Sequence, residues 1–261
     1  MQNSYRFLSA YYDRFTGDVG YPDWAEYCVR RFREAGIAPA IVLDLACGTG
    51  KLCAELAARG YDMIGVDASP EMLMQAMENT AALTPRPLFL QQRIERLDLY
   101  GTVGACLCCL DSINYVTNPR DLQEAFRRVE LFLEPGGLFL FDANTEEKFA
   151  RMDGEVYLRE DEDVYCIWQV GLEGRRCTYA FDLFERTENG LWARTEELHE
   201  ERVYPRDELC EMLQKAGFVD IECRFEPTLA PVDGQNDRVF FSARKKGEWD
   251  PEAALAFGAQ N

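Results

Sequence analysis

Apolar residues first recur at helical spacing in "YPDWAEYCVRRFREAG", where Trp24, Tyr27, Cys28 and Phe32 fall on one face. That spacing predicts a helix from Pro22 to about Ala35, stopped by Gly36. From Ile41 short continuous apolar runs alternate with helical ones. "IVLDLA" reads as a strand, "GKLCAELAARG" as a helix closed by Gly60, and "YDMIGVD" as a second strand. "SPEMLMQAMENT" is a helix with Ser69 at its N-cap and Pro70 in its first turn. Strands "PLFLQQ" and "VGACLCCL" follow. The helix "NPRDLQEAFRRVELFL" then begins at Asn118 and Pro119 and carries Leu122, Phe126, Val129 and Leu133 on one face. "GGLFLFD" is a fifth strand.

Strands that are apolar throughout are buried on both faces, and their alternation with helices predicts a parallel, doubly wound α/β sheet with helices on both sides. From about Asp163 to Tyr204 the pattern changes to three strand-like runs, with turns at Glu173-Gly174 and Asn189-Gly190. Asn-Gly between two such runs is a hairpin signal, so a small antiparallel meander is expected there. A helix over "PRDELCEMLQKAGF" and two strands, "VDIECRF" and "RVFFSARK", complete the pattern; the strands' short link allows antiparallel pairing. The expected division is a core of residues 1–150 plus 205–246 with an N-terminal helical cap, an inserted meander over 151–204, and a frayed or weakly helical tail over 247–261.

Composition narrows the function. At 261 residues and 47% hydrophobic the chain can bury a large core, and no run of about 18 apolar residues predicts a membrane span. The N-terminus lacks the basic and apolar regions of a signal peptide. Ten cysteines without paired CxxC motifs, and a single histidine, argue for reduced thiols in a cytoplasmic protein and against a metal site. A net charge of −18, from 46 acidic against 28 basic residues, repels phosphate backbones, so no nucleic acid partner is expected. A cationic or neutral small acceptor suits that composition.

The chemistry centres on "VLDLACGTG". A strand ending in small residues that open a helix is a cofactor cradle, because bare backbone lets a ligand approach the helix N-terminus. A dinucleotide GxGxxG would need glycines at 46, 48 and 51, where Ala46, Gly48 and Lys51 stand; a GxxxxGK[ST] phosphate loop is also absent. The D-x-A-C-G-T-G loop, with "GVDAS" ending the second strand and "FLEPGGLFLFD" after the fourth helix, resembles the class I S-adenosylmethionine-dependent methyltransferases. The resemblance runs from about Tyr5 to Lys246.

It implies a Rossmann-like seven-stranded sheet with an antiparallel last strand. It also implies S-adenosyl-L-methionine as cofactor, S-adenosyl-L-homocysteine as product, and a cofactor site at Asp44, Ala46, Cys47, Gly48, Thr49 and Gly50. Gly48 and Gly50 would let the amino acid moiety lie against the backbone. Asp44 would stand near its ammonium or fix the loop by accepting N–H bonds. Asp67, beside Ala68, can accept both ribose hydroxyls, and Met72 can pack on adenine or simply in the core. Family members commonly carry an acidic residue after the third strand for the adenine amine; Arg93 stands there, with Ile94 beside it. "YYDRF" and "YPDW" resemble segments that close over the cofactor, which makes Tyr12, Tyr21 and Trp24 lid residues, with core packing an equal reading of Trp24.

Methyl transfer needs alignment and exclusion of water more than acid–base groups, and a base only if the acceptor arrives protonated. Strand ends at "LDSINYV" and "DANT" put Leu110 and Asp111 near the cofactor and Asn114 and Asn144 near a small-molecule acceptor. Asp111 is the favoured catalytic residue. His199 is expected on a polar strand face with Thr195, Glu197 and Glu201, as a base or a substrate contact. A non-catalytic binder on the same fold and a nicotinamide-dependent oxidoreductase are the alternatives. Oligomeric state is not readable.

Overall fold

The computed structural model describes residues 9–17, 19–226, 229 and 237–251. Two short helices come first, α1 (Ser9–Phe15) and α2 (Tyr21–Glu34). The alternating core then runs β1 (Ile41–Leu45), α3 (Lys51–Ala58), β2 (Asp62–Asp67), α4 (Pro70–Asn79), β3 (Leu88–Gln91), β4 (Val103–Cys108), α5 (Pro119–Phe132) and β5 (Leu133–Asn144). Ser69 caps α4 by accepting the Met72 N–H at 3.2 Å, and Asn118 caps α5 by accepting that of Arg120 at 3.0 Å. Both caps are the ones their sequences signal.

After β5 come α6 (Glu146–Met152), then β6 (Val156–Asp161), β7 (Val164–Glu173), β8 (Arg176–Arg186) and β9 (Trp192–Arg202). The chain returns through α7 (Arg206–Ala216) to β10 (Phe218–Arg224) and β11 (Arg238–Lys245). The seven-stranded sheet has the order β10-β11-β5-β4-β1-β2-β3, with β11 antiparallel to both its neighbours. The order reverses between β1 and β4, so a crevice opens beyond their carboxyl ends, where open α/β sheets bind ligands. One core layer joins α5 and α7 to the sheet through Phe126, Phe139, Phe141 and Leu213; the other joins α2 and α3 through Phe32, Leu56 and Phe240.

Three expectations need correction. The meander has four strands, β6-β7-β8-β9, rather than three. β6 was hidden because "VYLRED" is an edge strand whose Val156 and Leu158 are exposed, so it carries no buried alternation. α1 and α6 were likewise unannounced, being too short for a periodic pattern to register. The segment after Gly247 is not frayed at its start: Trp249 packs on the backbone of Gly136 and beside Gly104, where a Cβ would come within 2.5 and 2.7 Å of it. The rest of that tail and Tyr5 lie outside the described residues.

Alternation on β9 holds, but its sense is inverted. Glu197, His199 and Glu201 point inward, and Leu198 and Glu200 outward. The inward face of the meander packs Val170, Cys177 and Tyr179 on Phe149 of α6, and Val164, Cys166 and Leu183 on Tyr11 and Phe15 of α1. Arg14 pairs with Asp161 and Asp163, and Tyr11 donates to Glu185. Thus α1 bridges the second sheet to the glycine loop, where Asp13 accepts from Thr49 at 2.7 Å.

Candidate active site

Asp44 lies inside β1, 3% exposed, and accepts a hydrogen bond from the Cys53 thiol at 3.2 Å. Burial pushes its pKa up to about 7, against the lowering effect of that thiol and with a further push from Asp67. At Ala46 the backbone enters the left-handed region, φ 60°, a conformation that costs a residue with a Cβ about 1–2 kcal/mol. Beyond the turn Gly48 N–H donates to Asp67 Oδ2, and across the crevice, after β2, Ser69 N–H donates to Asp67 Oδ1, each at 2.9 Å. A carboxylate oxygen has two lone pairs, so Asp67 is oriented by the backbone and still has acceptor capacity.

The two loop glycines have different reasons. At Gly48, φ +53°, an added Cβ would meet nothing within 4 Å, because it would project into the cavity. At Gly50, φ +71°, it would come within 2.8 Å of Ala76 Cβ and 3.2 Å of Phe89. At Gly50 the missing side chain therefore serves the close packing of the loop on α4 and β3.

A cavity of about 620 Å³ opens over this loop. Its lining includes Tyr12, Tyr21, Asp44, Ala46, Cys47, Gly48, Thr49, Asp67, Ala68, Met72, Arg93, Ile94 and Leu110, all anticipated from the sequence. Trp24, Gly50, Asp111, Asn114, Asn144 and His199 are not brought to it. Trp24 is buried against Phe240 and lies 5.6 Å from the Arg238 guanidinium, so it packs rather than closes a lid.

Asp111 pairs with Arg238 at 2.6 Å, and Arg238 also pairs with Asp142. Burial pushes Asp111 up, but Arg238, with Lys148, holds it below the usual carboxylate range. Asp142 accepts the N–H groups of Leu110 and Asp111 at 2.7 and 2.8 Å, which secures their left-handed φ values of 61° and 53°. This buried triad is a clamp on the end of β4. Asn114 is fully buried; it accepts the Asn144 N–H at 3.0 Å and donates to the Arg202 carbonyl at 2.9 Å. Asn144 in turn contacts Glu201 and Lys148. Both asparagines join the two sheets. The His199 ring is 0% exposed, 2.7 Å from a Glu197 oxygen and packed on Phe181 and Tyr115. Its expected polar, accessible face is replaced by an interior one.

Sequence reasoning missed the far wall. Tyr115, Val116, Thr117 and Asn118 arrive from the segment between β4 and α5, Asp121 from the first turn of α5, and Arg176, Leu198 and Glu200 from the meander. No linear pattern marks them, since the two sheets meet only in the folded chain. Glu95 also lines the cavity and pairs with Arg93. An acidic group is therefore present at this end, two residues beyond the family's expected position.

The donor set fits S-adenosylmethionine. Among the described residues no lysine or arginine pairs with buried Asp44, so a ligand ammonium would relieve it, and Asp67 offers a backbone-held carboxylate for hydroxyls. Residues 42–137 match the family model described as a methyltransferase domain. The methyltransferase-family protein YqeM of Bacillus subtilis (strain 168) is 32% identical over 244 residues, covering 92% of this chain and 97% of that protein. An S-adenosylmethionine-dependent methyltransferase from Clostridium acetobutylicum ATCC 824 superposes with a TM-score of 0.81 at 26% identity, over 93% of this chain and 98% of that one. The fold is shared with CalS10 of Micromonospora echinaspora, an amino pentose methyltransferase, at a TM-score of 0.73 and 22% identity, over 94% and 100% of the respective chains. The chain belongs to the class I S-adenosylmethionine-dependent methyltransferases, and S-adenosylmethionine is its cofactor.

Proposed function

We propose that the protein transfers a methyl group to a small-molecule acceptor by in-line displacement. The observation that carries this is the continuity of one cavity from the glycine loop to the meander. Its volume of about 620 Å³ falls in the range of about 300–1,000 Å³ typical of small-ligand sites. Bound there, S-adenosylmethionine supplies a methyl carbon on a sulfonium that is already a good leaving group.

The chain's own work is then binding, orientation and exclusion of water. In this reading Asp44 meets the amino acid ammonium, Asp67 the ribose hydroxyls and Glu95 the adenine amine, with Arg93 orienting Glu95. Tyr12 and Tyr21 cover the opening, supported by the tether of α1 to both the loop and the meander. Asp121 and Glu200 are carboxylates of the far wall; in this reading one of them receives a proton from the acceptor, and Asp121 is the better candidate because Glu200 pairs with Arg176. Neither Asp111 nor His199 reaches that space, so we assign them to positioning rather than chemistry. All ten cysteines are free thiols, which supports a reducing, cytoplasmic setting. Among the described residues no helix is long and apolar enough to cross a membrane.

Calorimetric titration with S-adenosylmethionine, S-adenosylhomocysteine and NAD tests the cofactor half, with binding expected for the first two alone. Incubation with methyl-labelled cofactor and a small-molecule extract tests the acceptor half by mass spectrometry. Cofactor binding with no labelled product from any pool would favour the non-catalytic binder.

A further inference from the structure

A second cavity, of about 220 Å³, adjoins the first and shares Thr117, Arg176 and Glu200 with it. The rest of its wall is Arg175, Glu201 and Arg202, so three arginines line one small cavity in a protein of net charge −18. Two of them are satisfied: Arg175 pairs with Glu208 at 2.6 Å, and Arg176 with Glu200. Arg202 is not. Its Nε is buried without a hydrogen-bond partner, and among the described residues no carboxylate pairs with it.

Arg202 is also held in place from several sides. Asn114 donates to its backbone carbonyl at 2.9 Å, and its guanidinium stacks on the Tyr204 ring, 5.4 Å from the centroid. The Tyr204 hydroxyl donates to the carbonyl of Val116, next to Thr117. Glu201, its neighbour, alternates to the other face of β9, and burial, helped by Asp111, pushes its carboxyl well above the usual carboxylate range. A positioned guanidinium that lines a cavity and has no carboxylate partner is the arrangement that recognises a planar or tetrahedral oxyanion.

We propose that Arg202, with Arg175 and Arg176 beside it, receives an anionic group of the methyl acceptor, a carboxylate or a phosphate. The small cavity is then the anion pocket of the acceptor site, and the acceptor lies across Thr117 with its reacting atom in the larger cavity. The inference rests on the methyltransferase reading and departs from the cationic or neutral acceptor that net charge suggests: Arg175 and Arg176 are balanced by Glu208 and Glu200, and Arg202 is the cation at this cavity with no carboxylate paired to it among the described residues.

The test is titration of the full-length protein, saturated with S-adenosylhomocysteine, with pyrophosphate and with succinate at constant ionic strength in chloride. Saturable binding of either is expected; pyrophosphate alone would identify a phosphate handle and succinate alone a carboxylate. Arg202→Gln should weaken that binding by roughly tenfold or more, and Arg202→Lys, which keeps charge without the fork, should restore part of it. S-adenosylhomocysteine affinity should be equal in all three proteins, which shows that the variants fold. No saturation by either anion, or equal binding by Arg202→Gln, overturns the inference while leaving the cofactor reading standing. Failure of the wild type to bind S-adenosylhomocysteine would overturn that reading and this inference with it.

Discussion

The two ends of the large cavity are built from different materials. At the cofactor end the ligand-facing groups are backbone or strand-end side chains that the backbone itself holds: Asp67 takes an amide on each oxygen, and Asp44 is buried within β1. At the acceptor end the wall is made of side chains on a separate sheet, with Arg176 61% and Glu200 34% exposed. A backbone-built site can change little without disturbing the central sheet. A side-chain wall can be rewritten by substitution on β8 and β9 with the core intact.

The sharpest break of this comparison is Asp67→Ala. It removes a charged acceptor that the backbone pre-orients, and hydrogen bonds to charged groups contribute about 1.5–3 kcal/mol each. S-adenosylhomocysteine affinity should fall roughly a hundredfold by calorimetry, about 2.7 kcal/mol. Unchanged affinity would remove the ribose role.

The glycines come next. Gly50→Ala adds a Cβ 2.8 Å from Ala76 at φ +71°, which combines left-handed strain with overpacking. Chemical denaturation should show a loss of about 3 kcal/mol. Gly48→Ala bears only the strain, about 1–2 kcal/mol, and should lose cofactor affinity out of proportion to stability. Equal stability losses would mean that the two positions do the same job.

A smaller effect is expected at the adenine end. Glu95→Gln should weaken S-adenosylhomocysteine roughly fivefold, about 1 kcal/mol. Arg93→Asp in that background, which places a carboxylate at the family's position, should recover the loss. No effect of Glu95→Gln would leave the adenine amine to the backbone.

The smallest effect is a proton. Asp44, raised to about 7 by burial, favours the folded state when protonated, so its contribution to stability is present at low pH and is lost as pH rises toward about 7. Binding an ammonium requires the carboxylate. Cofactor binding below about pH 7 should therefore release protons, and the release should fall as pH rises, measured from the dependence of binding heat on buffer ionisation enthalpy. Asp44→Asn should abolish that release, and a wild-type release of zero would sink the ammonium contact.

The sequence by itself determined the parallel core, its helices and caps, and the cofactor end. Those features are local: apolar runs, cap residues at the right offset, and a glycine loop whose small residues follow a strand directly. Asp44, Gly48 and Asp67 could be named because they lie near the carboxyl end of β1, in the loop after it and at the end of β2, and strand ends in this topology meet at one crevice. Only the tertiary structure decided which polar strand-end residues face ligand and which are locked away. Asp111 looked as available as Asp67 until Arg238, 127 residues further on, proved to hold it. His199 followed the right alternation, but its inward face became visible only once β9 lay on Tyr115 and Phe181. The acceptor wall needed the same docking of two sheets, because Thr117, Arg176 and Arg202 share no local pattern and become neighbours only through long-range packing.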